Sequence, residues 1–123
     1  MTTKVLIVDD SRAMRDMLRH SLTAAGFRVI QAEDGVNGLE VLEAETEKPD
    51  VIVTDINMPR MDGFGFIEAV RSGDVCRATP VLVLTTEVDQ EKKNRARNAG
   101  ATGWIVKPFD PVKLVDAIRR VAA

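Results

Sequence analysis

Short, unbroken runs of apolar and mostly β-branched residues recur along the chain, and segments of helical spacing separate them. Such runs are typical of strands that are buried on both faces, and strands that alternate with helices form parallel βαβ units. The pattern therefore predicts an α/β fold, a (βα)5 doubly wound parallel five-stranded sheet that occupies residues 1–123 as one domain. The predicted strands are Val5–Val8, Val29–Ile30, Val51–Val53, Val81–Leu84 and Ile105–Val106.

Four of the five predicted helices show an apolar stripe, and several have clear end signals. Ser11 is the expected N-cap of the first helix and Gly26 its C′ residue, the third helix should end near Gly73, and Asp110-Pro111 should start the last one. The expected stripes are Met14, Met17, Leu18, Leu22 and Ala25; Val36, Leu39 and Leu42; Phe66, Ile67 and Val70; and Leu114, Val115, Ile118 and Val121.

The fourth helix, predicted from about Asp89 to Ala99, is different because most of its side chains are basic or amides. Only Val88, Ala96 and Ala99 are available for burial, so this helix should pack weakly and could move when a partner binds.

Composition limits the classes of function. The chain has 123 residues, a net charge of −2 and 45% hydrophobic residues, which indicates a globular protein and favours neither nucleic acid nor membrane as a partner. Its start lacks the long apolar core of a signal peptide, so we expect a cytoplasmic protein, and a monomer is the default. The lone Cys76 is expected to be structural.

Polar residues with useful chemistry follow four of the predicted strands. Asp9 and Asp10 come after the first, Asp55 after the third, Thr85 after the fourth and Lys107 after the fifth. In open α/β sheets the ligand crevice lies at the carboxyl ends of the strands, so these side chains should converge. Taken alone, an Asp-Asp pair at the end of a strand is more often a turn or a cap for the next helix than a functional site.

Three neighbouring carboxylates repel one another unless they share a cation, and oxygen ligands without His or Cys favour a hard ion such as Mg²⁺. An Asp carboxylate can also attack phosphorus and form an aspartyl phosphate, with Mg²⁺ and an ammonium to offset the phosphoryl charge. Lys107 could supply that ammonium, and Thr85 a hydroxyl donor. Because no nucleotide-binding glycine motif is present, the phosphoryl group should come from a partner or a small phosphodonor.

With these residues the chain resembles the receiver domains of two-component response regulators, and in particular the single-domain chemotaxis type. The motifs that carry the resemblance are VLIVDDS at Val5–Ser11, DINMPRMDG at Asp55–Gly63, LTTE at Leu84–Glu87 and WIVKPF at Trp104–Phe109. The resemblance covers the whole chain and implies the flavodoxin-like strand order 2-1-3-4-5.

The resemblance also implies roles for individual residues. Asp55 would be the phosphoacceptor, with Asp10 a direct Mg²⁺ ligand and Asp9 a ligand largely through water. The backbone carbonyl of Asn57 would complete the metal site. Lys107 would contact the phosphoryl group, and its bond to Pro108 would be cis.

A switch is implied as well, in which Thr85 moves toward the phosphoryl group and Trp104 rotates inward. Trp104 replaces the Tyr or Phe that is commoner at this position, and Thr86 stands where chemotaxis members often have Ala. The alternative is that Trp104 is only a packing residue at the edge of the sheet and takes no part in a switch.

The implied function is a phosphorylation-activated response regulator that receives its phosphoryl group from a sensor histidine kinase, with a chemotaxis kinase as donor and a flagellar motor switch protein as possible target. Two alternatives keep the fold, namely a phosphorelay intermediate and a phosphate sink. A third, an Asp-dependent phosphatase of the haloacid-dehalogenase type, would need a second Asp two residues after Asp55, where this chain has Asn57. We therefore expect that the protein is not an enzyme in the usual sense, and that it catalyses only its own phosphoryl transfer and autodephosphorylation.

Overall fold

A computed structural model describes residues 2–123 and contains one parallel five-stranded sheet in the order β2-β1-β3-β4-β5. This is the predicted fold class and strand order. The strands are β1 (Lys4–Val8), β2 (Arg28–Ala32), β3 (Val51–Thr54), β4 (Val81–Thr85) and β5 (Gly103–Val106). The helices are α1 (Arg12–Ala24), α2 (Gly35–Ala44), α3 (Gly63–Ser72), α4 (Gln90–Ala99) and α5 (Pro111–Ala122).

The sheet separates two apolar layers because successive side chains of a strand point to opposite faces. In β4, Val81 and Val83 lie in the layer under α2, α3 and α4, whereas Leu82 and Leu84 lie in the layer under α1 and α5. Unbroken apolar runs are therefore needed in the inner strands, since both of their faces are covered.

Each helix begins at a capping side chain, which stops it from extending into the loop at the carboxyl end of the preceding strand. Ser11, Asp34, Asp62, Asp89 and Asp110 each accept a hydrogen bond from a backbone N–H in the first turn. The predicted caps Ser11 and Asp110 are confirmed, and Gly26 has the left-handed φ of 94° expected of a C′ residue.

Helix α4 packs as weakly as its composition predicts, because Ala96 is its only buried residue. Val88, however, is 77% exposed, so its expected burial was wrong. It precedes the Asp89 cap and lies in the loop, outside the helical stripe.

Other differences are local. Met17 was expected to belong to the buried stripe of α1 but is 54% exposed, because Leu18 and Leu22 define the inward face and Met17 is rotated away from it. Strands β2 and β5 are longer than their apolar runs, since backbone pairing continues past them: Arg28 pairs with Lys4, and Gly103 with Leu82.

Across residues 2–123, no helix has both the length and the apolar character required to cross a bilayer.

Candidate functional site

Three carboxylates meet at the carboxyl edge of the sheet. Asp9 and Asp10 follow β1 and Asp55 follows β3, and these strands are neighbours in the sheet. One oxygen from each carboxylate lies within 4.8 Å of the others. Asp9 and Asp55 are buried while Asp10 is exposed, so the cluster opens to solvent on the side of Asp10.

Lys107 reaches this cluster from the end of β5. Its Nζ donates to Asp9 Oδ2 at 2.9 Å and to Asp55 Oδ2 at 2.8 Å. Burial disfavours the ammonium, but the hydrogen bonds to Asp55 and Asp9 outweigh it, and the pKa of Lys107 is raised. The lysine therefore stays charged at neutral pH and holds two buried carboxylates together. Its peptide bond to Pro108 is cis, as the resemblance implied.

Asp9 is held from several sides. Its Oδ1 accepts from the Ser11 backbone N–H at 2.9 Å, and its carbonyl accepts from Arg15 Nη1 at 2.6 Å. Burial nevertheless raises the pKa of Asp9, although the hydrogen bonds from Lys107 and Ser11 act in the opposite direction. The proximity of Asp55 adds to the rise. A cation near this carboxylate would relieve the repulsion that remains.

Asp55 is fixed by the backbone around it. Its Oδ1 accepts from the Ile56 N–H at 2.6 Å, while Lys107 holds the other oxygen. The first residue of α3, Gly63, donates its N–H to the Ile56 carbonyl at 2.8 Å. A side chain at Gly63 would collide with the Asp55 carbonyl oxygen and approach Ile56 Cα to 2.8 Å, so glycine is required for this close contact.

Thr85 ends β4 at the same edge and is fully buried. Its carbonyl accepts from the Lys107 N–H at 2.8 Å, and its Oγ1 accepts from the Glu87 N–H at 3.4 Å. The hydroxyl therefore faces the loop that follows β4.

That loop is connected to the loop after β3 by contacts that sequence reasoning missed. Asn57 Nδ2 donates to Glu87 Oε1 at 2.9 Å, and Lys92 Nζ of α4 lies 3.0 Å from the same oxygen. The hydrogen bond from Asn57, together with Lys92, lowers the pKa of Glu87. No sequence pattern pairs these three residues, because they come from separate segments.

Trp104 lies in β5, half-buried, and packs against the apolar layer that includes Ala96 of α4. A small cavity of about 70 Å³ lies beside the indole. Its lining includes Ala96 of α4 and residues Ala101 to Gly103, which precede Trp104 in the chain. The sequence-based expectation that Trp104 lies next to α4 is confirmed.

A second missed contact joins the loop after Asp55 to the start of α2. Arg60 Nε donates to Asp34 Oδ2 at 2.7 Å and Nη2 donates to Oδ1 at 3.0 Å. The hydrogen bond from Arg60 lowers the pKa of the buried Asp34. An acid two residues after a strand and directly before Gly35 is an N-cap signal that could have identified Asp34, but nothing in the sequence pairs it with Arg60.

The arrangement suits two chemical tasks. All the side chains that it offers to a cation are carboxylates, which bind hard divalent ions, and the exposed Asp10 leaves a route from solvent. Asp55 can act as a nucleophile, with one ammonium already in contact to offset negative charge on an incoming group.

Comparison with known proteins agrees with this geometry. The response regulator receiver domain family matches residues 5–119. The chain is 37% identical over 119 residues to the chemotaxis protein CheY1 of Helicobacter pylori, which covers 96% of this chain and 95% of the relative. It is 39% identical over 120 residues to a probable chemotaxis protein CheY of Rhizobium etli, covering 96% and 91%.

Solved structures show the same relationship. The chemotaxis protein CheY4 of Vibrio cholerae superposes with a TM-score of 0.91 at 45% identity, and the match covers 98% of this chain and 99% of that one. A family match over nearly the whole sequence, relatives above 30% identity and the carboxylate-lysine edge of the sheet lead to one assignment: this chain is a response regulator receiver domain, homologous to the CheY chemotaxis regulators.

Proposed function

We propose that this receiver domain takes a phosphoryl group onto Asp55 with the help of Mg²⁺ and signals by changing which partner it binds. The observation that carries the proposal is the position of Lys107, whose ammonium contacts both Asp55 and Asp9 inside a cluster of three carboxylates. An ion pair needed only for stability would not require a third carboxylate beside it, because the third adds repulsion.

The residues present fit a magnesium ion. Asp9, Asp10 and Asp55 supply carboxylate oxygens within 4.8 Å of one another, and the raised pKa of Asp9 reflects a buried acid that a cation would stabilise in its charged form. Asp10 and the Asn57 carbonyl would bind the ion together with Asp55, with Asp9 acting largely through water. When bound, the ion would offset negative charge on the phosphoryl oxygens.

The chain's own residues would carry out the transfer. A carboxylate oxygen of Asp55 would form the new bond to phosphorus while the donor's bond to phosphorus breaks and its electron pair leaves with the donor. The Lys107 ammonium, 2.8 Å from Asp55 Oδ2, would hold one phosphoryl oxygen, and Thr85, at the end of the adjacent strand, would donate its hydroxyl to another. The buried position of Asp55 would limit the access of water to the product.

The switch would act through β5. If Thr85 moves toward the phosphoryl group, space opens behind it, and Trp104 could rotate inward next to α4. The weak packing of α4 supports this step, because a helix with one buried residue can shift at small cost. The proposed donor is a sensor histidine kinase of the chemotaxis type, acetyl phosphate being a small substitute. The proposed output is binding to a flagellar motor switch protein, and the proposed location is the cytoplasm.

The test is retention of partners by two forms of the domain. Immobilised protein is loaded with beryllofluoride and Mg²⁺, which imitate the phosphorylated state, or left unloaded, and each is offered a flagellar switch protein, a histidine kinase fragment and a phosphotransfer protein. Selective retention of the switch protein by the loaded form supports the proposal. Retention of the phosphotransfer protein alone would favour a relay, and identical retention by both forms would remove the basis for a switch.

Mg²⁺ affinity should fall as the solution becomes more acidic. Burial raises the pKa of Asp9, so protons compete with the cation for this carboxylate at a higher pH than for an ordinary Asp. Calorimetric titration with MgCl₂ at pH values from about 4 to 8 should show weaker binding as the pH falls through the raised pKa, because an ordinary Asp titrates near the lower end of that interval. Without metal the sign reverses, because the folded state binds the Asp9 proton more tightly than the unfolded state and gains stability as the pH falls.

Two variants check this pH dependence. Asp9→Asn should bind Mg²⁺ more weakly. Its Mg²⁺ affinity should also depend less on pH, because the amide does not titrate. Asp74→Asn changes a carboxylate whose side chain is 97% exposed in a different loop, and it should leave the profile unaltered. An Asp9→Asn profile parallel to that of the original chain would show that Asp9 does not control the titration.

A further inference from the structure

Arg60 has an unusual backbone conformation for its residue type. Within residues 2–123 it is the one non-glycine residue with positive φ, at 63°. Residues that carry a Cβ adopt this left-handed region infrequently, and they keep it only where surrounding contacts hold them there. Arg60 lies in the second half of the β3–α3 loop, residues 55–62, which begins with the proposed phosphoacceptor.

The contact that holds Arg60 is a two-pronged ion pair. Its Nε and Nη2 donate to the two oxygens of Asp34 at 2.7 and 3.0 Å. The Asp34 side chain is 3% exposed and also caps α2 by accepting from the Asn37 N–H at 2.8 Å. A planar guanidinium matches a carboxylate in this way and fixes both direction and distance, which a lysine ammonium cannot do.

The backbone next to Arg60 is docked on the same helix start. Gly35 donates its N–H to the Met61 carbonyl at 3.1 Å, and a Cβ at Gly35 would lie 2.7 Å from that carbonyl oxygen. The far half of the loop is therefore attached to α2. The near half is attached to the proposed phosphoacceptor by the Ile56 N–H, which donates to Asp55 Oδ1 at 2.6 Å, and the Ile56 carbonyl accepts from the Gly63 N–H at the start of α3. Asn57 lies between the attachments at Ile56 and at Met61.

The ion pair also borders the cation cluster. Arg60 and Asp34 line an open cleft of about 320 Å³ together with Asp10, Glu33 and Pro59. Asp10 is the carboxylate through which the cluster reaches solvent. A displacement of the loop at Arg60 would therefore alter the cleft next to Asp10 and would also shift Asn57 in the same loop.

We propose that Arg60 is a positioning residue for the cation site. Its two-pronged ion pair with Asp34 holds the β3–α3 loop in the conformation that places the Asn57 carbonyl beside Asp10 and Asp55. This inference rests on the proposed function, since it assigns the loop to the Mg²⁺ site. Mg²⁺ requires nearly ideal octahedral geometry with short bonds, so a small displacement of one oxygen ligand weakens binding. Residues that orient the metal ligands without binding the metal themselves commonly affect metal affinity in this way.

The test compares two substitutions at Arg60 with a matched change elsewhere. Arg60→Gly removes the guanidinium but accepts a φ of 63° without strain, so it separates the ion pair from the backbone conformation. Arg60→Lys keeps the charge without the two-pronged contact. Arg77→Gly is the control, because it removes the same guanidinium from a single exposed ion pair with Asp74, in a loop outside the candidate site.

Calorimetric titration with MgCl₂ should give a dissociation constant roughly 10-fold higher in Arg60→Gly, with partial recovery in Arg60→Lys and no change in Arg77→Gly. Hydrogen exchange of the amides of residues 57, 58 and 60–62, measured without metal, should accelerate in Arg60→Gly, to a smaller degree in Arg60→Lys, and not in Arg77→Gly. The double variant Asp34→Asn, Arg60→Gly should bind Mg²⁺ no more weakly than the worse single variant, because both changes break one contact.

The outcomes are distinct. If Arg60→Gly melts at a lower temperature but binds Mg²⁺ with an unchanged dissociation constant, Arg60 only stabilises the fold and the inference is overturned. Arg60→Lys gives the same decision should Arg60→Gly fail to fold. If the unaltered chain binds no Mg²⁺ at all, the proposed function itself is wrong, and the inference falls with it.

Discussion

Asp55→Asn is expected to abolish phosphorylation by acetyl phosphate and the accompanying change in the fluorescence of Trp104, the only tryptophan. The amide has the shape of the carboxylate but cannot act as the nucleophile toward phosphorus. The fold should persist, because Lys107 keeps its hydrogen bond to Asp9 and the amide oxygen can still accept from the Ile56 N–H. The substitution removes the ion pair between Asp55 and Lys107 but also relieves the repulsion among three crowded carboxylates, so the melting temperature should change little.

Intact-mass spectrometry after incubation with acetyl phosphate and Mg²⁺ measures the transfer, and fluorescence measures the response. Asp16→Asn serves as the control, since this carboxylate on α1 is 56% exposed and should leave both readouts unchanged. A phosphoryl adduct of normal yield in Asp55→Asn would falsify the assignment of the acceptor. An adduct that forms without a fluorescence change in the unaltered chain would keep the acceptor but reject Trp104 as the reporter of a switch.

The fold could be predicted from sequence because its main determinants are local. Unbroken runs such as Val81–Leu84 are needed where both faces of a strand are buried, and caps such as Asp110 act within one turn of their own helix. Val88 was misplaced because a short apolar side chain next to a helix does not indicate whether the helix has already begun. The ends of β2 and β5 were missed because pairing with a neighbour, rather than the strand's own residues, decides where a ladder stops.

The candidate site, like the fold, contains contacts that the sequence predicts and contacts that it does not. The convergence of Asp9, Asp55 and Lys107 follows from one rule, that parallel strands bring their carboxyl ends to one edge, and the structure shows these side chains in contact. The contact between Arg60 and Asp34 could not be predicted, since it depends on how two loops lie against each other. Loop conformation is set by many weak contacts, and a single sequence carries little information about it.

The site's dependence on close backbone contact leads to a second large effect, at Gly63. Gly63→Ala is expected to lower the free energy of unfolding by roughly 3 kcal/mol, because its Cβ would collide with backbone atoms that cannot rotate aside. The atoms affected are the Asp55 carbonyl oxygen and Ile56 Cα, so the collision would also displace Asp55, the proposed phosphoacceptor. Thermal denaturation should show a melting temperature lower by about 10 to 15 °C.

Gly65→Ala is the matched control, two residues further along the same helix. Its Cβ would lie 3.3 Å from Met61 Cγ, the side chain of a flexible residue that can adjust. Alanine is favoured over glycine inside a helix by about 0.5 to 1 kcal/mol, so Gly65→Ala should be neutral or stabilising. The two alanine substitutions in α3 are therefore expected to have opposite signs or very different sizes. Equal destabilisation would mean that α3 resists any added side chain at its start, and that the close contact of Gly63 with the Asp55 carbonyl is not what requires glycine there.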